Sequence, residues 1–296
     1  MIQPILARSP ICPLKIIECP RDAMQGFKNN IPTEAKTAYL NKLLKVGFDT
    51  LDFGSFVSPK AVPQMADTEA VLKGLDLAGT RTKLLAIVAN LRGAEQAADF
   101  DAITHIGFPL SVSEVFQQRN TRKTIAEALI EVAAIQNSIF PKGKTLVVYL
   151  SMAFGNPYGE PHNPETVAEL TRKVAELGVG IVAPSDTVGL ATPQGIRELF
   201  SHLIPAFPGI EFGAHLHSTP HTATGKIAAA YQAGCRRFDG AIRGFGGCPM
   251  AEDDLTGNIP TEQIVAYLHL QDAGLQLDMD AFQEAWQLAA DVFAGT

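Results

Sequence analysis

The sequence has little of what would mark several protein classes. Its four cysteines, at 12, 19, 235 and 248, are scattered and match no CxxC spacing. Neither a disulfide framework nor a zinc ribbon is indicated, and a reducing compartment fits. Basic charge is scarce: 24 Lys and Arg stand against 31 Asp and Glu, giving a formal net charge of −7. With no basic cluster, a nucleic-acid surface is excluded. No run reaches the roughly 20 apolar residues that span a bilayer. The opening "MIQPILARSPICPLK" lacks the apolar core of a signal peptide. The expectation is therefore a cytoplasmic protein with no membrane and no nucleic-acid partner. No Ser/Gly-rich linker divides the chain, and no GxGxxG follows the first apolar run, which argues against a dinucleotide-binding open sheet.

What is present is a rhythm. The strand-like runs "KIIEC", "DTLDF", "KLLAIVAN", "AITHIGF", "TLVVYLSM", "GIVAPSD", "IEFGAHLH" and "RRFDGAI" alternate with helical patterns such as "TEAKTAYLNKLL", "TRKTIAEALIEVAAIQN", "NPETVAELTRKVAEL" and "PQGIRELFSHLI". Such alternation implies right-handed βαβ units and a parallel sheet. Eight units in about 250 residues is the size of a (β/α)8 barrel. Residues 1–296 are thus read as a single α/β domain, a TIM barrel with a short N-terminal extension and a C-terminal helix. That helix, "DAFQEAWQLAADVF" with the single Trp286, is read as an amphipathic packing helix. The echo of "IPTEAKTAYL" at 31–40 in "IPTEQIVAYL" at 259–268 is read as shared helix-start chemistry.

In a barrel, side chains at the C-terminal ends of the strands converge on one mouth. The polar residues collect there: Arg21 and Asp22 after the first run, Asp52 and Ser55 at the second, Asn90 at the third, Asp186 and Thr187 at the sixth, His215 and His217 at the seventh. The eighth leads into "RGFGGCPMAEDDLTGN" at 243–258, a glycine-rich candidate active-site loop carrying Cys248 and Asn258. In a strand, residues i and i+2 share a face, so His215 and His217 can hold one ion side by side, or can be hydrogen-bonded histidines at a strand end. With Asp22 and Asn258 as oxygen donors, the set suits octahedral Mg²⁺ or Mn²⁺. Without a thiolate in it, structural zinc is disfavoured.

The stretches "CPRDAMQ", "DFGSFVSPKAVPQM", "NLRG", "FGNPYGE", "SDTVGLATP", "HLH" and "GFGGCPMAEDDLTGNIPTE" together resemble 3-hydroxy-3-methylglutaryl-CoA lyase, within the metal-dependent lyase and aldolase barrels. The resemblance runs over residues 15–270 in order. It implies that Asp22, His215, His217 and Asn258 are metal ligands and that Arg21, Asp186 and the loop Cys248 are catalytic. Asp52, counted with Arg21, Asp186, His215 and Cys248 among the catalytic candidates, stands where the family has glutamate. The implied activity is divalent-metal-dependent cleavage of 3-hydroxy-3-methylglutaryl-CoA to acetyl-CoA and acetoacetate, in leucine degradation and ketone-body metabolism, by a homodimer. Gln25, Ser55, Asn90 and Thr187 are the substrate-binding candidates.

The chain departs from the family pattern elsewhere: Ser218 replaces an aspartate after the HxH, Asn156 and Met250 replace a cysteine and a tyrosine, and Arg243 replaces a small residue. Arg243 is expected to pair with Asp253 or Asp254. The alternatives are a related aldol or Claisen-type lyase on another hydroxyacyl-CoA or an oxo acid, and a catalytically idle barrel that binds acyl-CoA.

Independently of the family, cleaving a C–C bond beside a tertiary alcohol needs a base for the hydroxyl proton, a cation for the alkoxide, and positive charge for the enolate. Arg21 suits the enolate, and a carboxylate or His215 suits the proton. Cys248 would protonate or shield the enolate, or else be a packing thiol.

Overall fold

The computed structural model describes residues 13–27, 29–247 and 256–294. Cys248, Met250, Asp253, Asp254, Cys12 and the N-terminal extension lie outside the described residues. In chain order the elements are β1 (Lys15–Glu18), α1 (Pro20–Gln25), α2 (Thr33–Val46), β2 (Thr50–Ser55), α3 (Thr68–Lys73), β3 (Lys83–Ile87), α4 (Leu91–Ala98), β4 (Ile103–Ser111), α5 (Glu114–Thr121) and α6 (Ile125–Ile139). There follow β5 (Thr145–Ser151), α7 (Pro164–Glu176), β6 (Ile181–Pro184), α8 (Pro193–Ala206), β7 (Glu211–His215), β8 (His217–Ser218), α9 (Ala223–Gln232), β9 (Arg237–Gly240), β10 (Gly257–Asn258), α10 (Thr261–Leu270) and α11 (Met279–Val292).

The strands β1 to β7 and β9 close a parallel barrel in sequence order, with β9 returning to β1 in the register Lys15↔Arg237 to Glu18↔Gly240. This is the (β/α)8 architecture the alternating pattern predicts. The helix starts follow local chemistry. Thr124 and Glu127 form a reciprocal capping box at α6, while Asn163 and Thr192 cap α7 and α8 with proline at the first helical position. The two "IPTE" segments open α2 and α10, each with proline as the residue before the helix.

Alternation along each strand separates two layers. Ile16, Leu51, Phe53, Ala86, Val148 and Phe238 join the large apolar cluster shared with the helices. Leu85, Val147, Tyr149, Ile181 and Ala183 form a small separate cluster, on the opposite parity and so inside the barrel. At the N-terminal end of the strands, ion pairs join Lys15 to Glu211 at 2.5 Å, Arg237 to Glu211 at 3.2 Å and Lys83 to Asp49 at 3.0 Å. The last helix packs as its pattern suggests. Phe282 meets Phe48 edge-on at 6.3 Å, and just beyond the helix Phe293 meets Tyr39 edge-on at 6.0 Å and stacks on Phe245 at 4.4 Å. Among the described residues, no helix is long and apolar enough to cross a membrane.

Candidate active site at the barrel mouth

The chain turns from β1 straight into α1, with Pro20 at its first position. This brings Arg21 and Asp22 to the mouth, both only 7% exposed. Arg21 is held on two sides. Its Nε and Nη2 donate to Asp52 at 3.0 and 2.6 Å, and its Nη1 donates to Asp22 Oδ1 at 3.0 Å and Gln25 Oε1 at 2.8 Å. Gln25 in turn donates to Asp22 Oδ1 at 2.8 Å. The shorter acid at position 52 thus still makes a fork-to-carboxylate pair with Arg21. Burial pushes the Asp52 carboxyl up to about 6 against the pull of Arg21. Burial would lower the Arg21 pKa, and the Asp52 and Asp22 carboxylates outweigh it.

His215 ends β7, and Leu216 breaks the strand, so His217 begins β8. This short strand leaves the barrel sheet and pairs antiparallel with β10, in the register His217↔Asn258 and Ser218↔Gly257. The ribbon is why Asn258, 41 positions further along the chain, sits beside the histidines. Its Nδ2 donates to Asp22 Oδ2 at 2.8 Å and to the Phe245 carbonyl at 2.9 Å. The approach requires glycine: a Cβ on Gly257 would lie 2.1 Å from the Gly244 carbonyl oxygen, and one on Gly246 (φ +89°) 2.8 Å from Asn258 Nδ2.

The two imidazole rings lie 5.6 Å apart, and Asp22, His215 and His217 can each bring one ligand atom within 4.8 Å of the others. Their electrostatics differ. His217 Nδ1 faces the Thr187 carbonyl at 3.2 Å, and burial, reinforced by His215, pushes its pKa down to about 4. The ring is therefore neutral at pH 7 with its proton on Nδ1. Its buried Nε2 has no partner among the described residues, which is the state of a histidine ready to ligate. His215 Nδ1 faces Asp239 Oδ2 at 3.1 Å. Burial works against the imidazolium, but that hydrogen bond and the Asp239 charge raise the His215 pKa. Burial would raise the Asp22 pKa, yet Arg21, His215 and His217 hold it below the ordinary carboxylate value. A divalent cation fits this donor set.

A cavity of about 420 Å³ opens here, lined by Arg21, Asp22, Gln25, Thr187, His215 and His217 on its polar side and by Val57, Val62, Ile87, Pro109, Phe116 and Tyr149 among others. The remaining candidates stand apart from it. Asn90 caps α4, accepting from Gly93 N at 2.9 Å, and the Ser55 hydroxyl accepts from Val57 N at 3.2 Å. Neither lines the cavity, because both are spent on local turns. Asp186 also does not line it. Its carboxylate accepts from Lys226 Nζ at 2.7 Å and from Ala191 N at 3.0 Å, and the same Nζ donates to the His217 carbonyl at 2.6 Å. The expected partners of Arg243, Asp253 and Asp254, lie outside the described residues, and Arg243 makes another contact. Its guanidinium lies 3.5 Å over the Trp286 ring and its Nε donates to the Trp286 carbonyl at 3.0 Å.

Sequence reasoning missed Asp239, Tyr149 and Lys226. The Tyr149 ring meets His215 edge-on at 5.4 Å. The one available signal was the charge of Asp239 inside the apolar run "RRFDGAI".

Fold and mouth define a (β/α)8-barrel enzyme whose site is built from acidic, imidazole and guanidinium groups. A family model described as HMGL-like matches residues 14–289, and the chain belongs to that family; it is a lyase. It is 32% identical to the (R)-citramalyl-CoA lyase of Chloroflexus aurantiacus over 83% of this chain and 80% of that one. It is also 32% identical to a hydroxymethylglutaryl-CoA lyase of Bacillus subtilis over 90% of this chain and 88% of that one. Among solved structures, an HMG-CoA lyase from Acinetobacter baumannii in complex with coenzyme A and 3-methylmalate matches with a TM-score of 0.87 and 29% identity, over 95% of this chain and 92% of that one.

Proposed function

We propose that this enzyme cleaves 3-hydroxy-3-methylglutaryl-CoA, or a close hydroxyacyl-CoA, between the alcohol carbon and the thioester-bearing carbon. The observation that carries the reading is the buried Nε2 of His217, without a partner among the described residues and clustered with His215 and Asp22 at a cavity that Arg21 also lines. Asp22, His215 and His217 would hold Mg²⁺ or Mn²⁺, and Asn258 would join them by turning its amide so that Oδ1 replaces Nδ2. When bound, the cation supplies a Lewis acid for the substrate hydroxyl and neighbouring oxygens.

The chain's own groups do the rest. Arg21, fixed by Asp52 and Gln25, meets the thioester oxygen as enolate charge develops. A neighbouring carboxylate accepts the hydroxyl proton, while His215, its Nδ1–H held by Asp239, keeps Nε2 turned to the cation. Asp186 acts through Lys226 on the His217 backbone instead of on substrate. The segment 243–258 serves as the active-site loop, with Cys248 delivering a proton to the acetyl-CoA enolate, and 1–296 acts as one domain in a cytoplasmic homodimer.

A second reading, citramalyl-CoA-type cleavage, is favoured by the equal 32% identity to that lyase. Turnover of both thioesters, with and without Mg²⁺ or Mn²⁺, decides between them. No acetyl-CoA from either would leave an acyl-CoA-binding barrel. His217→Ala should lose most of the bound metal by elemental analysis while the barrel stays folded; unchanged metal content would remove His217 from the site.

A further inference from the structure

His215 belongs to two clusters. Besides its grouping with Asp22 and His217, a ring nitrogen of His215, Cys19 Sγ and an Asp239 carboxylate oxygen lie within 4.8 Å of one another. Cys19 follows β1 and Asp239 lies on the adjacent β9, and neither lines the cavity. Both are nearly sealed, at 1% and 3% exposure. Two of their atoms are under-used. Asp239 Oδ1 is buried with no hydrogen-bond partner among the described residues, and Cys19 Sγ makes a long contact of 3.7 Å with the Ile17 carbonyl.

We propose that Cys19, His215 and Asp239 form a second cation site, selective for a thiophilic divalent ion such as Zn²⁺ or Cd²⁺. One thiolate, one imidazole and one carboxylate, with water in the fourth position, make a tetrahedral set for a soft or borderline cation and a poor one for Mg²⁺. Zinc bonds to these atoms are about 2.0–2.3 Å long, so the three side chains draw together on binding.

Proton bookkeeping follows from the geometry. The Cys19 thiol gives up its proton to solvent. The carboxylates of Asp239 and Asp22 nearby favour a cation there. His215 now donates from Nδ1 to Asp239. Binding the second cation through Nδ1 moves that proton to Nε2, which removes the lone pair that Nε2 would offer at the mouth. No electrons move. Occupation of the two sites is thus mutually exclusive, and a thiophilic ion inhibits from a position that substrate does not touch. The exclusivity rests on the proposed mouth site; the thiolate site does not.

The test uses the whole protein stripped of metal. Titration with Cd²⁺ should produce an ultraviolet thiolate-to-cadmium charge-transfer band saturating at one ion per chain, and Mg²⁺ should produce none. The band should vanish in Cys19→Ala and persist in a Cys12→Ala/Cys248→Ala protein. Absence of the band in wild type, or its survival in Cys19→Ala, overturns the proposal. Should Cys19→Ala fail to fold, cadmium NMR of the Cys12→Ala/Cys248→Ala protein decides: a shift for one sulfur ligand supports the site, and a nitrogen–oxygen shift overturns it. Excess Mn²⁺ should raise the Cd²⁺ needed for half-saturation. A band that ignores Mn²⁺ leaves the thiolate site standing and overturns the shared-His215 exclusivity.

Discussion

The two faces of the same eight strands are built to opposite rules. On the outer face, Ile16, Leu51, Phe53, Val148 and Phe238 meet helices across a continuous apolar layer. On the inner face the apolar cluster is small, and the strands also place Asp52, His105, Arg237 and Asp239, all buried, inside the ring. Among the described residues, four of the seven buried unpartnered side-chain atoms belong to Tyr149, Arg237 and Asp239 on that inner face. Each such atom costs about 1–3 kcal/mol. The outer layer therefore carries stability and the inner face carries polar groups that stability alone would not select. One-residue alternation keeps the two apart.

The sharpest break in that division comes from the outer layer. Phe200, on α8 and fully buried beside Phe154, should cost about 3–5 kcal/mol of stability on truncation to alanine. Turnover per folded molecule, measured well below the thermal transition, should hold; a parallel loss of turnover would show the two faces to be coupled.

Next in size is Arg21→Lys. It keeps a positive charge between Asp52 and Asp22 but loses the planar fork, so turnover should fall roughly 10²-fold or more. Stability and KM should change little. A raised KM with kcat intact would make Arg21 an anchor for substrate.

The last effect has the opposite sign and tests an exception. Glu18 is a carboxyl on the outer face, fully buried, accepting from Thr261 Oγ1 at 2.6 Å and Ile242 N at 2.8 Å. Burial pushes its pKa from 4.5 up to about 8. The folded state thus holds a proton that the unfolded chain has released, and the contribution to stability is lost as pH rises from about 4.5 to about 8. Glu18→Gln should flatten this slope and be more stable than wild type near pH 8. Denaturant midpoints across that window check it, and parallel slopes for the two proteins would refute it.

The barrel was legible because periodicity is local: each of the eight apolar runs overlaps a barrel strand, and the capping residues of α6, α7 and α8 stand where the helical patterns begin. Asp22, His215 and His217 were legible as a group because strand ends share one mouth. Asn90, Ser55 and Asp186 do not line the cavity, and the sequence could not show this for one reason. Position at a strand end does not say whether a polar side chain turns into the cavity or caps its own loop, and Asp186 is claimed by Lys226, 40 residues away. The contact of Arg243 with Trp286 was not legible because Trp286 lies on a helix whose docking no local pattern reveals.

The hydrogen bond from Asn258 to Asp22 spans 236 positions, and β9 must meet β1 before it can form. The mouth is thus absent from any partial barrel, however complete its earlier βα units. Assembly proceeds against a large sequence separation, which makes folding slow. Regain of catalysis during refolding is consequently a clock for ring closure, trailing the helical signal that local contacts produce first.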